Sequence, residues 1–217
     1  MDFSANLKDV GRIYLDHHAT TPVDPAVVAA MLPFLTERFG NPSGKGHAFA
    51  AEAHSAVEEA RARLADFVGA RPEEMVFTSG ATEADNLAVR GAARALAARG
   101  GHVVTSVLEH AAVLEPCRSL EREGFAVTRV EVDSRGIVDP DDVARALRPD
   151  TVLVSLMAAN NEVGTLQPVA ETAALCRERG IVLHTDAVQA VGRVPVSVEA
   201  LGADLVSLSA HKMYGPK

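Results

Sequence analysis

From about residue 70 onward, short apolar runs rich in β-branched residues alternate with longer amphipathic stretches rich in Ala, Leu, Arg and Glu. This alternation is typical of strand and helix units that build a parallel sheet, so it predicts an α/β fold. The predicted strands are 75–78, 102–106, 126–131, 152–157, 181–184 and 205–208. The predicted helices between them are 82–98, 111–123, 140–147, 169–179 and 198–201.

Upstream of this alternation, two further helices are predicted over residues 25–37 and 47–68, the second rich in strong helix formers. They would form an N-terminal arm and a long packing helix. No repeat, low-complexity segment or Pro/Gly-rich linker divides the chain, so residues 1–217 are predicted to form one domain. The chain ends in a loop directly after a predicted strand, and we therefore expect this domain to be incomplete.

Charge and hydropathy exclude several classes of protein. The formal net charge is -8 and no run of Lys or Arg occurs, which argues against nucleic-acid and anionic-membrane partners. Residues 1–8 contain no apolar stretch of signal-peptide length, and nowhere do about eighteen uncharged apolar residues run together. We expect a cytoplasmic protein that acts on small molecules or on other proteins.

The two cysteines, Cys117 and Cys176, lie far apart and lack the CxxC or Cys/His spacing of a metal site. Both fall in predicted helices. They are therefore expected to be reduced, structural thiols, and no metal site is predicted.

The first segment that indicates chemistry is 75–86, where a predicted strand runs through a small-residue turn into a helix near Thr82. Free backbone N–H groups at a helix start, beside the hydroxyls of Ser79 and Thr82, can bind a phosphate dianion. An ordinary N-cap formed by Ser79 or Thr82 is the more common use of such residues. This segment alone leaves both interpretations open.

Asp186 ends an apolar run that begins at residue 181. The carboxyl ends of parallel strands face the ligand crevice of an open α/β sheet, so this carboxylate can meet a ligand cation such as a pyridinium nitrogen. An ionised Asp186 would hold such a ring protonated and electron-withdrawing. Capping of the following helix is at least as common for an isolated Asp.

Lys212 directly follows a predicted buried strand, whereas Lys8, Lys45 and Lys217 do not. A lysine that forms a Schiff base must lose its proton easily, and burial or a nearby cationic ring lowers the pKa of its ammonium. A solvated loop lysine is the more common fate of a single Lys. Here, partners for a phosphate, a ring nitrogen and an aldehyde occur together, which favours a cofactor site.

Two more segments reach the same edge of the predicted sheet. His110 follows the strand 102–106, where its imidazole could stack on a flat ring and exchange protons near neutral pH. Asn160 and Asn161 follow the strand 152–157, and their amides could bond a ring oxygen or a substrate carboxylate. A lone His or Asn at such a place more often forms a hydrogen bond within its own loop. These residues therefore support a cofactor site only when they are considered together.

In this order, the segments resemble those of class V, fold type I enzymes that use pyridoxal phosphate (PLP). Within that group they resemble the cysteine desulfurases, which supply sulfur for iron–sulfur clusters. The resemblance covers nearly the whole chain, through residues 14–22, 41–43, 78–83, 109–110, 160–164, 184–189 and 209–217. It implies a three-layer PLP-transferase-like large domain with a mainly parallel central sheet. The C-terminal small domain of that family would be absent from this chain.

The resemblance also implies roles for individual residues. Lys212 would form the internal aldimine with PLP, Asp186 would pair with the pyridine nitrogen, and Gln189 would bond the phenolic oxygen. His110 would stack on the ring and assist proton transfers, and Asn161 would contact the ring oxygen or the substrate carboxylate. The phosphate would be held by Ala81, Thr82, Ser209 and His211.

The implied activity is release of sulfur from L-cysteine, giving L-alanine, by a homodimer that passes sulfur to an acceptor protein. In the family, a cysteine on a mobile loop and a carboxylate-binding arginine lie well past the PLP lysine. Neither follows Lys217, so this chain alone is expected to be inactive in desulfuration. Alternatives are another class V enzyme (selenocysteine lyase, aminotransferase or kynureninase-like hydrolase) or a non-catalytic PLP-binding half of a split enzyme.

Overall fold

In the computed structural model, which describes residues 13–217, five parallel strands form one sheet in the order β2-β1-β3-β4-β5. The strands are β1 His102–Ser106, β2 Ala126–Val130, β3 Thr151–Ser155, β4 Val182–Asp186 and β5 Leu205–Ser207. The chain passes from β1 to β2 and then returns to the other side of β1. A topological switch point, where ligands bind in open α/β sheets, therefore lies between β1 and β3. The prediction made for residues 1–8, and Lys8 with it, lies outside the described residues.

Seven α-helices accompany these strands in residues 13–217. They are α1 Pro25–Thr36, α2 Ala48–Val68, α3 Ala81–Ala95, α4 Ala111–Arg122, α5 Pro140–Ala146, α6 Val169–Glu178 and α7 Val198–Leu201. Both α1 and α5 have an aspartate N-cap followed by proline at the first helical position. Proline is suited to this position because a backbone N–H there would have no acceptor within the helix, and the aspartate side chain accepts a backbone N–H of the first turn. In this part of the chain, no helix is both long and apolar enough to cross a membrane.

Helices cover both faces of the sheet, as the near-continuous apolar strands require. Adjacent residues of β1 point to opposite faces: Val103 packs with residues of α3 and α4, and Val104 with residues of α5 and α6. Leu153 and Val154 of β3 divide in the same way. Full burial of such a side chain stabilises the fold by about 1.5–3 kcal/mol. The three-layer α/β architecture is therefore confirmed.

The strand predicted at residues 75–78 is wrong. The segment pairs with no strand among the described residues, and the side chains of Val76 and Phe77 are largely exposed. The backbone carbonyl of Met75 instead accepts a hydrogen bond from Arg61 Nη1 (2.6 Å), and the Arg61 guanidinium lies over the Phe77 ring. A β-branched run becomes a strand only where a neighbour pairs with its backbone, and here residues 75–79 face β5 across a cavity.

The other predicted elements are confirmed, with small differences at their ends. The largest difference is at the end of α3, predicted at residue 98 and found at Ala95. The strand predicted at 152–157 ends at Ser155, because the backbone N–H of Met157 donates to the side chain of Glu109 instead of to a strand (2.9 Å).

Candidate active site

An open cavity of about 2060 Å³ follows the carboxyl-terminal edge of the sheet and continues into the gap between β5 and residues 75–79. Its polar part is formed by the loops that follow β1, β3, β4 and β5, together with the start of α3. The structure brings all nine predicted site residues to the wall of this cavity: Ala81, Thr82, His110, Asn161, Asp186, Gln189, Ser209, His211 and Lys212.

The start of α3 is open toward the cavity. Its N-cap is Gly80, which has φ 153° and no side chain, and no capping hydrogen bond is formed there among the described residues. The preceding turn is held by Thr78 Oγ1, which donates to the Gly80 carbonyl (3.1 Å), and by Ser79 N–H, which donates to Glu83 Oε2 (2.6 Å). The N-cap interpretation of Ser79 or Thr82 is therefore wrong. The open helix start instead offers backbone donors to an anion.

Asp186 lies at the end of β4, and its side chain is buried. Its Oδ1 accepts a hydrogen bond from the Val188 backbone N–H (2.9 Å). Burial raises the pKa of Asp186 to about 6, and the charge of Asp85 adds to this, whereas the Val188 N–H and the charges of His184 and His110 oppose it. Above that pH the cavity therefore contains a buried carboxylate with few donors of its own, which suits a ligand cation.

Lys212 is half-buried in a single 3₁₀ turn, Ala210–Lys212, directly after β5. Burial lowers the pKa of its ammonium, the charge of Arg193 lowers it further, and Asp16 and Asp186 oppose the change. The Nζ atom donates a hydrogen bond to the backbone carbonyl of His18. The amine is therefore placed inside the cavity and is more easily deprotonated than an exposed lysine.

Residues of the segment 16–21 line the cavity, and no role was predicted for the backbone of this segment. The His18 carbonyl accepts from Gln189 Nε2 (2.9 Å) as well as from Lys212. Arg193 Nη2 donates to the His17 carbonyl (2.7 Å) and to the Lys212 carbonyl (3.2 Å), so that the segment and the lysine turn are held together. Backbone carbonyls have no residue-type signature, which is why these contacts could not be predicted.

His110 lies directly before α4 and caps that helix. Its Nδ1 accepts a hydrogen bond from the Ala112 backbone N–H (3.1 Å). A ring nitrogen that accepts cannot carry the hydrogen, so the neutral imidazole has its hydrogen on Nε2. In this state His110 can donate a hydrogen bond but cannot accept one at Nε2.

The two asparagines after β3 have different surroundings. Asn160 is buried, and its Oδ1 accepts from the backbone N–H groups of Glu162 (2.9 Å) and Val163 (3.0 Å), so it holds the turn. Asn161 lines the cavity, and its amide donates to the exposed Glu162 carboxylate (2.8 Å). Of the two, Asn161 is the residue that can reach a ligand.

Ser209 and His211 stand on either side of the lysine turn. The Ser209 side chain is buried and makes no capping hydrogen bond in the part of the chain that the structure describes. The Nδ1 atom of His211 lies 3.0 Å from Thr20 Oγ1, while its backbone carbonyl accepts from Thr21 N–H (3.0 Å). Burial lowers the pKa of His211, and the charges of Lys212 and Lys217 lower it further. Within residues 13–217 the Ser209 hydroxyl is therefore available to a ligand in the cavity, whereas His211 is already bonded to Thr20 and Thr21.

Both cysteines are buried within helices, Cys117 in α4 and Cys176 in α6, and neither forms a disulfide. Burial raises the pKa of each thiol to about 12. The expectation of reduced, helix-borne thiols is therefore confirmed, and neither residue has the accessible, low-pKa environment of a reactive cysteine.

The polar groups of this cavity fit PLP. The open start of α3 and the hydroxyls of Thr82 and Ser209 suit a phosphate, the buried carboxylate of Asp186 suits a pyridinium nitrogen, and the Lys212 amine suits an aldehyde. All of these groups line one cavity. The donor set therefore matches the three chemically distinct parts of this cofactor.

Comparison with known proteins identifies the family. The model of the family "Aminotransferase class-V" matches residues 13–217, so the chain belongs to this family of PLP-dependent enzymes. The chain is 54% identical over 205 residues to "Cysteine desulfurase IscS" of Dictyoglomus turgidum, covering 94% of this chain and 52% of that protein. It is 56% identical to the protein of the same name from Anaeromyxobacter sp. (strain K), again over 205 residues, covering 94% and 51%.

Solved structures show the same fold. A "NIFS-like protein" superposes with a TM-score of 0.92 at 42% identity, covering 95% of this chain and 57% of that one. The structure "SspA in complex with cysteine" superposes with a TM-score of 0.91 at 40% identity, covering 95% and 59%. The chain spans about half the length of the curated relatives it matches.

Proposed function

We propose that this chain is the cofactor-holding part of a PLP-dependent cysteine desulfurase, which releases sulfur from L-cysteine and leaves L-alanine. The observation that carries the proposal is the convergence of Asp186, Lys212 and the open start of α3 on one cavity, from three separate parts of the sequence. The curated relatives named cysteine desulfurase support the choice of substrate. We further propose that the protein works in the cytoplasm as a homodimer with a sulfur-acceptor protein.

Side chains and backbone groups from several loops of this chain would bind and orient the cofactor. Ala81 and Thr82 would bind the phosphate at the start of α3, assisted by Ser209 and His211. Asp186 would keep the ring nitrogen protonated, and Gln189 would bond the phenolic oxygen after leaving the His18 carbonyl. His110 would lie against the ring, with Asn161 near the ring oxygen or the substrate carboxylate. Once linked to Lys212, PLP would supply an electron sink for the bonds to the substrate α-carbon.

Lys212 would also be the proton carrier at the substrate. Its lowered pKa makes a neutral amine more accessible near neutral pH, and this amine can take the proton from the α-carbon and return it. For this, Nζ must leave the His18 carbonyl. His110 would assist by donating a hydrogen bond from Nε2. The neutral ring could accept a proton only at Nδ1, and this nitrogen would then lose the hydrogen bond from Ala112 N–H that caps α4.

We infer that this chain alone does not desulfurate cysteine. The reaction needs a thiolate that attacks the substrate sulfur, and both thiols of this chain are buried with pKa values of about 12. The thiolate would therefore have to come from outside this chain. Binding of PLP and removal of the α-hydrogen do not require that thiolate.

The test is to load the chain with PLP, add L-cysteine in deuterated water, and follow both sulfide and the α-hydrogen of cysteine. We expect slow exchange of the α-hydrogen without sustained release of sulfide. Lys212→Ala should abolish the exchange, whereas Lys45→Ala, the matched exposed lysine, should leave it unchanged. Sustained sulfide release that disappears in Cys117→Ala or Cys176→Ala would contradict the assignment of these thiols.

A further inference from the structure

A second polar cluster lies beneath the candidate site, on the face of the sheet that α3 covers. His184 of β4 is completely buried, and its Nδ1 lies 2.8 Å from Ser155 Oγ of β3. Its Nε2 lies 2.9 Å from Ser207 Oγ of β5 and 3.5 Å from Asp85 Oδ1 of α3. Both ring nitrogens therefore have an oxygen neighbour that can accept a hydrogen bond.

Asp85 is the unusual member of this cluster. Its side chain is 0% exposed, and neither of its carboxylate oxygens has a hydrogen-bond donor among the described residues. Burial of an ionised carboxylate without a partner costs on the order of several kcal/mol, so such groups are paired or neutralised. In residues 13–217, His184 is the one basic side chain within ion-pair distance of Asp85.

This cluster adjoins Asp186. Since side chains alternate along a strand, His184 and Asp186 point to the same face of β4, toward α3. The charge of Asp85 raises the pKa of Asp186, and the charge of His184 lowers it. The two residues thus act on Asp186 in opposite directions.

The remaining titratable groups around Asp186 do not replace this pair. Glu109, which follows β1, is buried, and burial raises its pKa to about 8, so that it is mostly neutral at pH 7. His110 caps α4 through Nδ1, and Lys212, which follows β5, is bonded to the His18 carbonyl. On the α3 side, the charge near Asp186 is set by Asp85 and His184.

We propose that Asp85 and His184 form a buried ion pair that acts as a positioning device for Asp186, keeping its carboxylate ionised for the ring nitrogen of PLP. With His184 protonated, its two N–H groups donate to Ser155 and toward Ser207 and Asp85, and the charge of Asp85 is balanced. The functional part of this inference rests on the proposed function, since it assigns Asp186 to the ring nitrogen.

The ion pair itself is tested without cofactor, by ¹⁵N NMR of the histidine rings in the unsubstituted protein. We expect one buried imidazole, slow in hydrogen exchange, to carry hydrogen on both ring nitrogens at pH 7. In Asp85→Asn this signal should change to that of a neutral ring, while the exposed control Asp66→Asn should leave it unchanged. A neutral His184 at pH 7 in the unsubstituted protein would overturn the proposal.

The effect on Asp186 is tested in the PLP-loaded protein, through the pH at which the absorption band of the bound cofactor changes halfway. His184→Gln leaves Asp85 unbalanced, so that midpoint should move up by about one pH unit, a tenfold change in proton affinity. Adding Asp85→Asn to this variant removes the unbalanced negative charge. The midpoint should therefore return to within about 0.3 pH units of its original value. Asp85→Asn alone should move it little, because the unpaired imidazole can release its proton.

An unchanged midpoint in His184→Gln, or a double variant that keeps the shift, would overturn the role in positioning. His54→Gln on α2 is the matched exposed control and should have no effect. If PLP does not bind at all, the proposed function fails, and the NMR result still decides whether the ion pair exists. If His184→Gln does not fold, the NMR spectrum of the unsubstituted protein still decides whether the ion pair exists, and a neutral His184 would overturn the proposal.

Discussion

Two helices begin at the wall of the same cavity, and they begin differently. The start of α4 is capped by its own residue, since His110 Nδ1 accepts the Ala112 N–H (3.1 Å). The start of α3 follows Gly80, which has no side chain and so cannot cap the first turn. Position at a cavity does not by itself make a helix start into an anion site. The residue at the N-cap decides whether the donors remain available.

A glycine N-cap lowers the stability of a helix by only a few tenths of a kcal/mol relative to an Asp, Asn or Ser cap. In α3 this is offset by packing, since Val89 and Ala93 are completely buried against the sheet. Glu83 also stabilises the turn: the Ser79 backbone N–H donates to its carboxylate and lowers its pKa. The helix can therefore leave its first donors open to a ligand.

The largest effect is expected from a carboxylate placed at the first position of each helix. Ala81→Glu should weaken PLP binding at least 100-fold, about 3 kcal/mol, because the new charge takes the place of the phosphate. Ala111→Glu at the same position of α4 should change the affinity less than about twofold, since that start faces no phosphate. Titration of each variant with PLP measures the difference. Equal losses in both variants would remove the distinction between the two helix starts.

A smaller effect is expected at Glu109, which directly precedes His110, the N-cap of α4. Its Oε1 accepts from Ser106 Oγ (2.8 Å) and Met157 N–H (2.9 Å), and Oε2 has no hydrogen-bond partner among residues 13–217. Burial raises the pKa of Glu109 to about 8. The folded protein thus keeps this proton up to about pH 8, whereas the unfolded chain releases it above its ordinary value of 4.5. Stability therefore falls as pH rises between these values and levels off above them.

Glu109→Gln should remove this fall. Between pH 6 and pH 8 the variant should gain about 2 kcal/mol relative to the original chain, because a proton bound only in the folded state contributes about 1.36 kcal/mol per pH unit over most of this range. Denaturant unfolding at several pH values measures the gain, with Glu59→Gln on the exposed side of α2 as control. A variant that tracks the original chain at every pH would show that Glu109 ionises normally in the fold.

The smallest effect is expected from the cap of α4. His110→Ala should lower the free energy of unfolding by about 1 kcal/mol, whereas His110→Asn, which can also cap, should lower it by a few tenths at most. Both variants also remove the ring that we propose to lie against the cofactor. Equal stability of the Ala and Asn variants would mean that the His110–Ala112 hydrogen bond does not contribute.

The sequence predicted which strand ends meet, because parallel strands place their carboxyl ends at one edge. Asp186, Lys212 and His110 could be assigned to one cavity for that reason. Residues 75–78 have the composition of a strand, but pairing depends on a neighbour that composition cannot show. The contact between His184 and Asp85 depends on how α3 packs on β4, across 99 residues of sequence, so no local pattern could predict it.

The central claim is that Lys212 carries the cofactor, and reduction of the PLP-loaded protein with borohydride tests it most directly. Reduction would fix a pyridoxyl group on the lysine that holds PLP, and peptide mapping then identifies that lysine. The chain has three other lysines that serve as internal controls: Lys8, Lys45 and Lys217. We expect the label on Lys212, and Lys212→Ala should remove it. A label on one of the other three, with Lys212 unmodified, would contradict the account.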